Sequence, residues 1–147
     1  MRFSTKVRYG VRGLTELAAG YGKESLLLKD ISRRQGISLK YMDHIFSMLK
    51  AKGLIRKQKA KKGGYLLSRR PSEITFFDII TALEGVDTME CLKPDANCPF
   101  IPGCGARAVW RKLDAKFEAS MKSFTLEDVV KERENLSKAS GTYDYHI

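Results

Sequence analysis

Cysteine, proline, histidine and tryptophan are all scarce in this 147-residue chain, which holds three, four, two and one of them. No apolar run approaches the ~20 residues that a bilayer-crossing helix needs. The opening MRFSTKVRYG has no apolar segment behind its charges, so neither a membrane protein nor a secreted precursor is expected, and the location predicted is cytoplasmic. Three cysteines cannot all pair within one chain, and without a secretory signal a metal or redox site is expected ahead of a disulfide framework. There is no Gly-rich phosphate loop, no histidine-bearing metal motif and no nucleophile–base pair, so an enzyme is not expected. Acidic residues are scarce in one half only. Residues 1–70 carry 18 Lys and Arg against 4 Asp and Glu, a balance of +14, whereas residues 71–147 carry 9 against 13, a balance of −4. A basic first half points to a polyanion, nucleic acid ahead of a membrane surface, because no basic amphipathic helix with an aromatic insertion face accompanies it.

What remains is ordinary globular material, 43% hydrophobic and 30% charged. Ser4 or Thr5 can cap a first helix, on which Val7, Val11, Leu14 and Leu17 share one face before Gly20 and Gly22. A second short helix fits Lys29–Gln35, stopped at Gly36. A third begins after Ser38 and ends at Gly53. Leu54–Gln58 and Tyr65–Ser68 read as short strands around a Lys59–Gly64 turn. Thr75 with Asp78 opens a helix whose buried face is Phe76, Ile79, Ile80 and Leu83, stopped by Gly85. Residues 86–105 hold three of the four prolines and all the cysteines, and predict an irregular loop. A long helix follows from about Ala106 to Ser123. On it Trp110, Leu113, Phe117 and Met121 form a narrow stripe suited to a partner helix. Thr125 and Asp128 start another short helix, and the tail from Ser137, ending in Tyr143, Tyr145 and Ile147, has no helical period.

Two short helices followed by a hairpin is the order of a winged helix-turn-helix. At 100° per residue, Lys40, Asp43, His44, Ser47 and Ala51 fall within about 80° of one another, with Met42, Ile45, Phe46 and Leu49 opposite. One face is core and the other polar and small, as a helix entering a major groove requires, although any amphipathic surface helix shares the pattern. The hairpin adds five cations in seven residues, Arg56, Lys57, Lys59, Lys61 and Lys62, followed by Gly63-Gly64. That density fits a wing neutralised by phosphates, its glycines letting the backbone approach the duplex. Asp43 either accepts from a cytosine amine or balances Lys40 or Lys50, and His44 is a base-reading or a surface residue.

The cysteine spacing, Cys91-x6-Cys98-x5-Cys104, lacks the CxxC pairs of zinc sites and suits an iron–sulfur cluster better, with free thiols in a floppy loop as the bland reading. A fourth ligand is missing. His146, an acidic residue, a partner-chain residue or an exogenous thiol are the candidates.

The stretches MRFSTKVRYGVRGLTELA, DISRRQGISLKYMDHIFSMLKAKGLI, GGYLLSRRPSEITFFDIITALEG and AVWRKLDAKFEASMKSFTLEDVV, with the three cysteines, resemble the Rrf family of bacterial regulators (the IscR/NsrR/CymR type), over nearly the whole chain and most closely in its IscR branch. The resemblance implies a mostly α fold: a winged helix-turn-helix DNA-binding domain over residues 1–85, a cluster-binding loop over 86–105, and a dimerisation helix with tail over 106–147. It implies a homodimer on a double-stranded, palindrome-like DNA operator, with no membrane role and cluster-delivery proteins as further partners. Its function would be to repress iron–sulfur cluster biogenesis genes while sensing cluster or redox state. Cys91, Cys98 and Cys104 would bind the cluster, 2Fe–2S ahead of 4Fe–4S. Ser38, Lys40, Tyr41, Asp43 and His44 would read or brace the major groove, and Lys59, Lys61 and Lys62 would track phosphates or enter the minor groove. Relatives that bind a cluster carry a histidine where this chain has Arg107, or an N-terminal aspartate where it has Arg8. The ending TYDYHI resembles that of the cysteine-metabolism repressors, which lack the cysteine loop. A cluster-free repressor of that kind and a structural zinc module binding nucleic acid or protein are the competing readings.

Overall fold

In the computed structural model, which describes residues 2–86 and 88–141, helix α1 (Thr5–Ala19) begins where Ser4 accepts a hydrogen bond from the Val7 amide. Helix α2 (Leu28–Gln35) ends at Gly36 in the left-handed region, φ 63°. Helix α3 (Leu39–Ala51) starts at Ser38, whose hydroxyl accepts from the Tyr41 amide. Strands β1 (Ile55–Lys57) and β2 (Tyr65–Leu67) pair antiparallel in the register Ile55 to Leu67, Arg56 to Leu66 and Lys57 to Tyr65. A 3-10 turn at Pro71–Glu73 leads to helix α4 (Phe76–Leu83), and two further 3-10 turns, Glu90–Leu92 and Ile101–Gly103, interrupt the loop before the long helix α5 (Gly105–Ser123). Helix α6 (Leu126–Ser140) completes the described chain.

The polar and apolar faces predicted for α3 hold: Met42, Ile45, Phe46 and Leu49 are fully buried, while Lys40, Asp43, His44 and Ser47 are exposed. Removing a side chain of this size from water contributes about 1.5–3 kcal/mol, so this face fixes α3 on the core. Phe46 meets Tyr65 edge-on at 5.1 Å between ring centroids, which joins α3 to the wing. Helix α1 approaches α3 closely because residue 13 is glycine. A Cβ there would lie 2.8 Å from the Phe46 ring and 3.0 Å from the Met42 sulfur.

The C-terminal part differs from expectation. The helix opened by Thr125 is not short. It has 15 residues, includes Ser137–Ser140, and stops at Gly141. Its last turns are exposed and need no apolar period. The charge pair Lys131–Glu127 at 3.0 Å lies on its first turns. Helices α4 and α6 start side by side with the same chemistry. Thr75 with Asp78 and Thr125 with Asp128 each form a reciprocal capping box. The Phe76 amide donates to the Phe124 carbonyl at 2.9 Å and the Leu126 amide to the Ile74 carbonyl at 3.0 Å. From this junction α6 turns back to lie along α1, and Leu126 enters the same core. Helix α5 has no buried residue, and only Met121 of its predicted stripe packs on the core. Trp110, Leu113 and Phe117 stay 39%, 43% and 46% exposed.

Candidate nucleic-acid interface and cysteine loop

The N-terminal half of α3 is braced from α1. The Arg12 guanidinium lies 5.4 Å from the Tyr9 ring centroid, Tyr9 meets Tyr41 edge-on at 5.9 Å, and Tyr41 stacks on His44 at 6.4 Å. Tyr41 is half-buried in this ladder and acts as a brace, and His44 stands exposed at its end. Ser38 is occupied as the helix cap, so its hydroxyl sets where α3 begins. Asp43 and Ser47 face a groove of about 440 Å³ whose other walls are Lys50, Ala51, Lys57 and Tyr65. The C-terminal part of the polar face of α3 and both strands of the wing therefore line one depression, open to solvent. The Lys57 ammonium lies 5.6 Å from the Tyr65 centroid, which holds a cation at that edge.

Lys59, Lys61 and Lys62 all lie exposed on the wing turn, and Lys62 comes within 3.9 Å of Glu24. Of the two glycines after them, Gly64 has a part within the chain, whereas a Cβ at Gly63 would meet nothing within 4 Å. Gly64 has φ 92°, and a Cβ there would lie 2.8 Å from the Leu26 carbonyl oxygen. The close approach is to the chain's own backbone. Leu26 and Tyr65 exchange two backbone hydrogen bonds, of 3.1 and 2.8 Å, and the Ser25 hydroxyl donates to the Gly63 carbonyl at 2.6 Å. These contacts anchor the base of the wing. Neither Leu26 and Ser25, nor the Arg12–Tyr9 ladder, stood out in the sequence, because each depends on partners 20 or more residues away.

All three cysteines are free thiols at intermediate burial. Cys104 caps α5, its sulfur accepting from the Arg107 amide at 3.4 Å, and Arg107 Nε donates to the Cys91 carbonyl at 2.7 Å. One arginine thus links the first and last cysteine of the loop. Beside them runs an open groove of about 690 Å³, lined by Ile101, Pro102, Cys104, Arg107, Arg111 and Lys112 among others. Thr88, three residues before Cys91, has a buried hydroxyl with no hydrogen-bond partner among the described residues. Three soft thiols in one loop fit iron–sulfur ligation in donor chemistry. Among the described residues no three His, Cys, Asp or Glu side chains are gathered into a metal-binding group. The cysteine positions are therefore together in the chain but not drawn into one ligand shell. His44 lies on α3, and His146 lies outside the described residues with Tyr143, Tyr145 and Ile147.

A family model described as Rrf2, an iron-dependent transcriptional regulator, matches residues 3–132. The HTH-type transcriptional regulator IscR of Xenorhabdus nematophila is 36% identical over 140 residues, covering 95% of this chain and 85% of that protein. Among solved structures, CymR, the global cysteine regulator of B. subtilis, superposes with a TM-score of 0.73 at 31% identity, over 90% of this chain and 98% of that one. IscR of T. potens superposes with a TM-score of 0.72 at 34% identity, over 92% and 90%. These relatives are transcriptional regulators, not enzymes, and their fold is the winged helix-turn-helix described above. No described helix is long and apolar enough to cross a membrane.

Proposed function

This chain belongs to the Rrf2 family of transcriptional regulators, and from that premise we propose that it is a homodimeric, DNA-binding repressor of iron–sulfur cluster biogenesis genes that senses cluster supply or redox state through Cys91, Cys98 and Cys104. The observation that carries the DNA-binding part is the groove that Asp43, Ser47 and Lys50 of α3 share with Lys57 at the base of the wing, beside the exposed lysines of the wing turn. Lys40 and His44 donate to base edges or phosphates in the major groove, and Asp43 accepts from a cytosine amine. Tyr41 and Ser38 hold the start of α3 in place. Lys59, Lys61 and Lys62 follow the phosphates, supplying affinity without sequence choice. A second copy packed along Trp110, Leu113 and Phe117 removes that apolar stripe from water and presents two α3 helices to a two-fold operator.

Cys91, Cys98 and Cys104 are the thiolates that would hold the cluster, 2Fe–2S ahead of 4Fe–4S, received from cluster-delivery proteins. A bound cluster supplies an oxygen- and redox-labile cross-link between the loop and α5. Cys104 then has two tasks, since its sulfur also caps α5. Arg107 stands in the first turn of that helix and orients the Cys91 backbone. The fourth ligand comes from outside this trio: an acidic residue, His146, a partner-chain residue or an exogenous thiol.

A second reading, a cluster-free repressor of cysteine metabolism, is favoured by the likeness to CymR, a global cysteine regulator. Anaerobic purification with iron and sulfide counting, followed by duplex selection from a randomised pool, separates the readings. The sensor reading expects brown protein containing iron and acid-labile sulfide, and an enriched sequence with two-fold symmetry. Colourless protein that still enriches a duplex supports the cluster-free reading, or a zinc site if zinc co-purifies. Failure to enrich any sequence overturns the operator-binding reading.

A further inference from the structure

Glu16 on α1 is 4% exposed, and the carboxylates of few folded proteins are buried so deeply without a built set of partners. Its partners come from two other helices. Gln35 Nε2 donates to Oε1 at 2.7 Å, Arg34 Nη1 lies 3.4 Å from Oε2, and Arg133 Nη1 of α6 lies 3.1 Å from Oε1. Arg34 and Gln35 are the last two residues of α2, directly before the turn at Gly36. Arg12, one helical turn before Glu16, completes the grip: its Nε donates to Gln35 Oε1 at 2.9 Å and its Nη2 to the Gln35 carbonyl. The turn is rigid in its own right. The Ile37 amide donates to the Ser32 carbonyl at 3.1 Å, and the Ser32 hydroxyl donates back to the Ile37 carbonyl. Ser38 follows at once and starts α3, so the seat of the end of α2 sets the placement of Lys40, Asp43 and His44.

The third partner arrives from the other end of the molecule. Arg133 sits on α6, and α6 continues from α5 through the bridge of Thr125 with Thr75. Helix α5 carries the cysteine loop at its start. The route from that loop to Glu16 thus runs along the chain down α5, past the twin caps and along α6, and crosses to α1 through the Arg133 ion pair.

We infer that Glu16 is a positioning residue that couples α6 to the helix-turn-helix: its ion pair with Arg133 sets the seat of Arg34 and Gln35, and through them the start of the recognition helix. A carboxylate gripped from both sides at this depth makes the two helices move as one, since neither arginine can withdraw without leaving a buried charge short of a partner. The consequence for operator choice rests on the DNA-binding reading above, whereas the coupling itself does not.

The test uses the full chain carrying Arg133→Met, with Arg133→Lys as the conservative variant that retains a cation. Amide hydrogen exchange in the free protein is read at Gly36 and Ile37, with Leu54, bonded to the Leu49 carbonyl at 3.0 Å, as the control amide. Arg133→Met should speed exchange at Gly36 and Ile37, relative to Leu54, by about fivefold or more, the low end of ordinary site-to-site couplings, and Arg133→Lys should stay within about twofold of wild type. Affinity for the duplex selected by wild type, divided by affinity for its scrambled version, should fall by about fivefold or more at an unchanged salt slope. Exchange unchanged at Gly36 and Ile37, or faster only within α6, overturns the coupling and leaves Arg133 a local brace. Faster exchange at the turn with an unchanged affinity ratio overturns the claim that the coupling positions α3. If wild type discriminates no duplex while exchange at the turn responds as stated, the operator-binding reading fails and the coupling of α6 to the turn is upheld.

Discussion

Replacing Lys61 and Lys62 together by alanine removes two of the five cations between Arg56 and Lys62 while leaving the anchored base of the wing intact. The fold loses little. Lys62 and Glu24 are 3.9 Å apart with side chains 85% and 88% exposed, and so open a pair is screened by water and salt. DNA binding loses more. Each phosphate contact displaces condensed counterions and adds about 0.9 to the slope of log affinity against log salt, so two contacts add ~1.8. Between 50 and 200 mM salt the advantage of wild type over the variant should then shrink by roughly 12-fold, which is fourfold raised to the power ~1.8. Fluorescence anisotropy titrations at four salt concentrations, on the selected duplex and on its scrambled version, give both slopes. The slope should change equally on both, because phosphates carry no sequence. An unchanged slope would show that the wing tip stands off the DNA, and a change confined to the selected duplex would show that these lysines read bases.

Leu113→Asp places a charge on the exposed stripe of α5, where Leu113 is 43% exposed and no residue of the helix is buried within the chain. It should give a folded monomer by light scattering with an unaltered circular dichroism spectrum, and a full-mass dimer would refute the stripe as the dimer contact. Gly13→Ala gains up to about 1 kcal/mol in helix propensity but drives a methyl group to 2.8 Å from Phe46 and 3.0 Å from Met42. Both neighbours are fully buried, so overpacking of about 1–3 kcal/mol should win, and a melting temperature at or above that of wild type would refute this.

The helix starts were legible because capping is local chemistry: Ser4, Ser38, Thr75 and Thr125 each accept the backbone hydrogen bond that their residue type and position imply. The α3 faces and the two strands of the wing were legible for the same reason, since both follow from patterns over a few residues. Glu16 was hidden because α1 shows one apolar face in sequence, yet Thr15 and Glu16 on the other side are buried as well. Nothing local announces that α6 will return to cover them. The third edge of the wing at Leu26 was hidden likewise, since one residue pairing across 39 positions leaves no periodic trace. In the cysteine loop the thiols and their spacing were visible, but the task of Cys104 as a helix cap was not, because cysteine is outside the residue types favoured there. Arg107 stood out only as a departure from a ligand position. Its link between Cys104 and Cys91 is a product of the fold.

Whether the three cysteines govern DNA binding decides between a sensor and a plain DNA-binding protein. The direct measurement is an anaerobic titration of the native protein and of the variant with Cys91, Cys98 and Cys104 all replaced by alanine, on the same set of selected duplexes. The variant should remain a dimer, lose the visible absorbance, and differ from native protein on at least one duplex by about 5–150-fold, the span of ordinary allosteric couplings. Equal affinities on every duplex would contradict the sensor reading, and would leave a DNA-binding protein whose three thiols sense nothing.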